Sequence, residues 1–244
     1  MQSEANDNEI KALTFDTGGT ILDWHTGVSQ TLRTLGIKHG IIADWPAVAN
    51  DFRRRSLQSM VNHGEHSPAT KNFDDIHRET MDIIANEHGL ECFSAEERKQ
   101  VWWNTMHNLQ CWPDFPTVLP LLRKQYYCVS FTILSFRIIM DTARRNNLSW
   151  DAVISCEAIG KYKILPEAYI RCANFLQFKP EQCCMVACHN FDLDAAKAVG
   201  FKTAFVRRPD EWGSAGSPDP EPTPHHDYVV DTFTELATVL GIPT

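Results

Sequence analysis

Residues 11–20 read KALTFDTGGT. The first six make a short, partly apolar run that ends on Asp16, and the next four hold Gly18 and Gly19 between two threonines. This is the pattern of a buried strand running into a tight turn. In an open parallel sheet, ligands bind in the crevice beyond the carboxyl ends of the strands, so an acid at that point is the first residue to inspect.

Outward from this strand the pattern splits in two. Residues 27–35, 45–62, 72–88 and 94–106 place apolar side chains at three- and four-residue spacing, which predicts four helices with no strand between them. From Trp112 onward, helices are predicted at 117–124, 138–146, 166–175 and 193–199, alternating with strands at 127–134, 152–155, 184–187 and 203–206. That βα alternation builds a parallel sheet with helices on both faces. Residues 211–227, with Pro218, Pro220, Pro222, Pro224, Gly213 and Gly216, read as a loop, after which a strand at 228–230 and a helix at 232–240 close the sheet's edge. The expected architecture is an α/β, Rossmann-like core of residues 1–24 and 108–244 with an inserted all-helical cap, residues 25–107. Its two connections, near 21–26 and 107–113, are expected to let the cap move.

The chain has 244 residues, enough for a core and a smaller insertion, and 43% of them are hydrophobic. A formal charge of -8 argues against a nucleic-acid partner, and the one basic run is Arg53-Arg54-Arg55. No apolar stretch is long enough to span a bilayer, so no membrane partner is expected. The polar, acidic start MQSEANDNE does not read as a signal peptide, so a cytoplasmic location is expected. The eight cysteines read as reduced core thiols. Cys183, Cys184, Cys188 and His189 suggest a metal cluster at first sight, but they lack the C-x-x-C spacing that lets a loop wrap zinc, and no metal ligand is expected.

Polar residues after apolar strands recur along the chain: Asp16 and Thr20, Ser135 after YYCVSFTIL, Lys163 after the 152–155 strand and its turn, and Asp192 after CCMVA. Singly, each has an ordinary reading as a turn acid, a helix cap or a solvated lysine. Together they supply what a carboxylate nucleophile needs: the acid itself, hydroxyls and turn amides for an anionic substrate, a lysine to balance charge, and a second acid.

Over nearly its whole length the chain resembles the haloacid dehalogenase superfamily, and within it the type II 2-haloacid dehalogenases. FDTGGTILDW resembles the first motif, with Asp16 as nucleophile and Thr20 as its hydroxyl; TILS resembles the second, with Ser135. GKYKILPEAY resembles the third, with Lys163 and Tyr169, and VACHNFDLDAAKAVGFKTAFVRRP the fourth, with Asp192. The DFRRRSLQ helix resembles the cap helix that supplies a substrate-binding arginine, here Arg53. The resemblance implies hydrolytic dehalogenation of short 2-haloalkanoic acids such as haloacetate or fluoroacetate. Asp16, Lys163 and Asp192 would be catalytic, and Thr20, Arg53, Ser135, Phe136, Tyr169 and His189 would bind substrate. It implies a small-molecule carboxylate substrate, no cofactor, and a homodimer through the cap.

Family phosphatases place a second aspartate two residues after the nucleophile, as general acid and magnesium ligand; here that position is Gly18. A halide leaves without a proton, so Gly18 favours dehalogenation over phosphate-ester hydrolysis. The chain departs from the dehalogenases at Phe136, Ile164-Leu165, Ala187 and His189. His189 reads equally as a proton donor and as a helix-entry hydrogen bond. Three alternatives stand beside the main reading: ring opening of a carboxylate such as azetidine-2-carboxylate, whose amine leaving group wants a proton; a magnesium-dependent phosphatase using Asp16, Asp192 and Asp194; and a non-catalytic carboxylate binder.

Overall fold

A computed structural model describes residues 9–64, 71–218 and 221–243. Residues 1–8 of the expected core, Pro220 of the proline-rich loop and Thr244 lie outside the described residues.

Strand β1 (Ala12–Phe15) is buried along its whole length. Helices α1 (Trp24–His39), α2 (Trp45–Gly64), α3 (Phe73–Glu87) and α4 (Ala95–Lys99) follow, then α5 (Phe115–Leu122). Their starts obey local chemistry: the side chains of Asp23 and Asn72 accept backbone N–H groups that helices α1 and α3 leave unpaired, and Ser94 and Glu97 form a reciprocal capping box on α4.

The single helix expected over 94–106 is instead three pieces. After α4 the backbone widens into a π-helix, Gln100–Thr105, and then tightens into a 3-10 turn, Met106–Asn108. The Thr105 hydroxyl donates to the Gln100 carbonyl at 2.8 Å and meets Thr31 at 2.7 Å, while Trp103 stacks on His107 with centroids 4.0 Å apart. An apolar spacing of three to four residues does not distinguish such a bulge from a regular helix.

The remainder alternates: β2 (Tyr127–Thr132), α6 (Phe136–Arg145), β3 (Ala152–Ser155), a short α7 (Cys156–Ile159) that the sequence pattern did not suggest, α8 (Pro166–Leu176), β4 (Cys183–Ala187), α9 (Asn190–Ala198), β5 (Lys202–Val206), β6 (Tyr228–Val230) and α10 (Phe233–Val239). The six strands form one parallel sheet in the order β3-β2-β1-β4-β5-β6. Phe15 pairs in register with Ser130 on one side and Val186 on the other, so β1 is central and the chain reverses its winding direction between β1 and β4. That switch point leaves a crevice at the carboxyl ends of those two strands, the place where sheets of this kind hold ligands. Under it pack Phe15, Phe115, Trp150 and Phe233, with ring centroids 4.6–6.1 Å apart.

The two connections to the helical block lie against each other. Asp23 N–H donates to the Gln110 carbonyl and Trp112 N–H to the Ile21 carbonyl, both at 2.9 Å. All eight cysteines are free thiols. Among the described residues, no helix is long and apolar enough to cross a membrane.

Candidate active site

Asp16 follows β1 directly, and its backbone N–H donates to the Val186 carbonyl at 2.9 Å, which places its carboxylate beside the end of β4. Thr20 lies one tight turn on. Its hydroxyl donates to Asp16 Oδ2 at 2.8 Å and accepts the Cys188 N–H at 3.0 Å, so it links the two strand ends. Thr20 was expected to bind substrate; its hydrogen atom is instead engaged in orienting the acid.

On the other carboxylate oxygen, Lys163 Nζ lies 3.3 Å from Asp16 Oδ1 and 2.9 Å from Asp192 Oδ2. The lysine also sits 4.6 Å from the Phe131 ring centroid, a favourable place for an ammonium. Tyr169 is fully buried and donates to Asp192 Oδ1 at 2.6 Å. Where the resemblance implied a contact with substrate, the hydroxyl fixes Asp192 from behind. The result is a buried chain, Asp16–Lys163–Asp192–Tyr169, in which each polar group holds the next.

The charges follow from this packing. Burial works against ionising Asp16, but Lys163, His189 and Thr20 outweigh it and hold the carboxyl well below the usual range. Burial likewise works against the Lys163 ammonium, and the two carboxylates overcome it, so the lysine stays charged. Asp192 is displaced upward, first by burial and then by the Asp16 charge facing it across the lysine.

His189 stands at the entry to α9, and its side chain accepts no cap hydrogen bond from the helix. Its Nδ1 lies 3.5 Å from Asp16 Oδ2, and its Nε2 lies 3.1 Å from both oxygens of Glu211. Burial disfavours the imidazolium, whereas Cys188, Glu211 and Asp16 favour it and hold its pKa well above the ordinary value. The Cys188 thiol is itself pushed up to about 11, mainly by burial, so at neutral pH it carries no charge. The two carboxylates are therefore what keep the proton on His189.

Glu211 is the residue that sequence reasoning missed. Nearly inaccessible, it accepts the Trp24 indole N–H at 3.1 Å and sits over the turn that follows Asp16. Gly19 has φ +95°, and a β-carbon there would overlap the Glu211 carboxylate, so glycine is required both for the turn and for the approach of this acid. The signal was available: Glu211 follows β5 by a few residues, another strand-end position. The turn is braced further by Trp112, whose indole donates to the Gly19 carbonyl at 2.7 Å, and by Arg208, which donates to the Thr20 carbonyl at 3.0 Å while paired with Asp114.

Arg53 reaches the turn from α2. Its Nη2 donates to the Gly18 carbonyl at 3.2 Å, and its guanidinium lies 5.5 Å from the Trp24 ring centroid and 6.0 Å from that of Phe73. Its Nε and Nη1 are buried and without a protein partner. Buried guanidinium donors left unmade are costly, and an anion is what completes them. A β-carbon at Gly18 would stand 3.1 Å from Nη2, so the space that a second aspartate would use is filled by Arg53. Thr17, next to Asp16, adds another buried hydroxyl without a protein partner.

Two expected substrate contacts look different in the fold. Ser135 caps α6, its hydroxyl accepting the Ile138 N–H at 3.1 Å. Phe136 is the first residue of α6, half-buried, with its backbone N–H directed at Glu157. Neither is engaged with Asp16.

The magnesium arrangement weighed above does not fit these residues. The Gly18 carbonyl is taken by Arg53, Asp192 is paired with Lys163, and Asp194 points elsewhere, to His225 at 2.7 Å. A hard dication needs several free oxygens at one point, and here ammonium and guanidinium groups hold that ground.

Comparison with known proteins agrees with this geometry. Residues 10–200 match the family model described as haloacid dehalogenase-like hydrolase. A curated relative, (S)-2-haloacid dehalogenase 1 of Pseudomonas sp. (strain CBS-3), is 26% identical over 207 residues, covering 82% of this chain and 85% of the relative. The crystal structure of the defluorinating L-2-haloacid dehalogenase Rha0230 superposes with a TM-score of 0.89 at 31% identity, over 95% of both chains. That of the L-2-haloacid dehalogenase PA0810 does so with a TM-score of 0.86 at 26% identity, over 95% of this chain and 99% of the other.

Proposed function

Because the chain belongs to the haloacid dehalogenase-like hydrolase family, we propose that it hydrolyses short 2-haloalkanoic acids without a metal, through an ester on Asp16. The observation that supports this most is the combination of an ionised Asp16 held by Lys163 with Arg53, which rests on the carbonyl of Gly18 in the same turn and has donors that lack a partner. A carboxylate that attacks carbon and a cation that awaits an anion suit a substrate that carries a carboxylate and expels a halide. The absence of a side chain at Gly18 suits a leaving group that takes no proton.

In this reading residues 25–107 act as the cap that brings Arg53 over the strand ends. An Asp16 oxygen displaces halide from the α-carbon. The negative charge moves from Asp16 to the departing halide, and the ester remains. Water then attacks the Asp16 carboxyl carbon; the ammonium of Lys163 steadies the oxyanion, and Asp192, locked by Tyr169, keeps Lys163 in place. His189 changes role between the two steps. Two carboxylates hold its proton before the reaction, but esterification of Asp16 removes one of those charges, so the imidazolium becomes more acidic. Once it has released that proton, it serves as a base for the attacking water, oriented by Glu211. The balance is haloacid plus water giving hydroxy acid, halide and one proton.

The test is halide release in EDTA from chloroacetate, fluoroacetate and the S enantiomer of 2-chloropropionate, the configuration in the name of the Pseudomonas relative. Halide and hydroxy acid in equal amounts, unaffected by the chelator, are expected. Inertness toward all three, with magnesium-dependent hydrolysis of p-nitrophenyl phosphate, would replace this reading with the phosphatase.

A further inference from the structure

Asp194 lies on α9 two residues beyond Asp192 and faces away from the reaction centre. Its Oδ1 is 2.7 Å from His225 Nε2 and 3.4 Å from the Thr223 hydroxyl, which in turn is 3.3 Å from His225 Nε2 and 2.9 Å from His226 Nε2. One nitrogen from each imidazole and one Asp194 oxygen lie within 4.8 Å of one another. Asp194 and His225 are half-exposed, whereas His226 is buried, so the cluster opens to solvent on one side and is fixed on the other.

The fixed side is well built. His226 Nε2 is 2.9 Å from Asn190 Oδ1, and Asn190 also accepts the Thr223 N–H at 3.0 Å and donates to the Glu221 carbonyl at 2.8 Å. The His226 ring stacks on Phe205 with an interplanar angle of 13°. One residue on, Asp227 accepts the Thr203 N–H and the Lys197 ammonium, both at 2.9 Å. The His226 Nδ1 is buried with no partner. Because Asn190 Oδ1 can only accept, His226 Nε2 carries the ring proton in the metal-free protein; a cation at Nε2 would replace that hydrogen bond and leave the proton on the buried Nδ1, which has no partner to lose.

We propose that Asp194, His225 and His226 form a surface site for a divalent transition cation, zinc being the first to test. Two imidazoles and one carboxylate match the donor preferences of zinc, nickel and copper, and offer too few oxygens for magnesium or calcium. Ligands about 2.0–2.2 Å from a tetrahedral ion stand roughly 3.4 Å apart, so small side-chain rotations close the cluster around it, with water or the Thr223 hydroxyl in the remaining position. A bound ion would clasp the loop of residues 221–227 to the helix that presents Asp192.

A second set of metal-compatible groups, Cys188, His189 and Glu211, lies inside the active site, so the experiment must separate the two. The full-length chain, stripped with EDTA and dialysed, is titrated with zinc by equilibrium dialysis as wild type, His225→Ala and Cys188→Ser. Wild type is expected to bind zinc, His225→Ala to bind it at least about tenfold more weakly, and Cys188→Ser to keep wild-type affinity at that site. Zinc should raise the melting temperature of wild type by more than that of His225→Ala. Asp194→Asn provides a second variant with the same expectation. Two bound equivalents, one of them lost in His225→Ala, also support the site. No zinc on the wild type, undiminished binding by His225→Ala, or loss confined to Cys188→Ser would overturn it.

Discussion

Asp16→Asn is expected to lower turnover of any accepted haloacid by about 10⁴-fold or more, the scale on which loss of a nucleophile acts, while the protein still melts cooperatively. Chemistry and fold separate here for a specific reason. The asparagine side chain keeps the shape of Asp16, and its oxygen can still accept from Thr20 or Lys163, while Asp192 and Glu211 remain to balance Lys163 and Arg53, and His189, with one of its two carboxylates gone, can give up its proton. What disappears is the carboxylate that attacks. Halide release by a freshly prepared variant at more than a few per cent of the wild-type rate contradicts the assignment of Asp16.

Lys163→Met is expected to act on both rate and stability. Without the ammonium, Asp16 and Asp192 face each other in a buried space, which raises both pKa values and makes ionised Asp16 harder to hold. Together with the unsupported oxyanion, this should cost about 10²–10³-fold in turnover. Removing one partner of a buried ionic group typically costs about 3–5 kcal/mol. The pH dependence has a definite sign. In wild type the depressed Asp16 pKa contributes stability that is present above the ordinary value of 3.8 and is lost as the pH falls through the lower folded-state value. In Lys163→Met that contribution shrinks, so the acid-unfolding midpoint should move to higher pH. A variant that unfolds at the wild-type acid midpoint would show that the lysine does not hold the carboxylates.

The sheet was legible because its strands are short apolar runs broken by turn residues, and the acids and lysine at their ends stood out by position. Residues whose roles depend on what lies opposite were harder to read. A threonine four residues after an acid looks like a substrate hydroxyl until the turn folds it onto that acid, as Thr20 does on Asp16. Tyr169 carries no mark in the sequence to say that it backs Asp192 instead of facing solvent. Glu211 went unnoticed because it opens a proline-rich stretch that reads as loop, and its partners, His189 and Trp24, lie 22 and 187 residues away. Gly18 was understood only in part. The missing acid can be seen in the sequence, but its physical counterpart, the Arg53 guanidinium filling the vacated space, needs the helical block folded over the sheet.

The central claim is that an Asp16 oxygen, and not water, reaches the α-carbon. A single turnover in oxygen-18 water, with enzyme in excess over 2-chloropropionate, tests it directly. The account predicts that the first hydroxy acid released carries ordinary oxygen in its new hydroxyl, and that the heavy isotope appears in the peptide containing Asp16. Label in the product of that first turnover, with none in the peptide, would mean that water attacks the α-carbon itself and that Asp16 is a base.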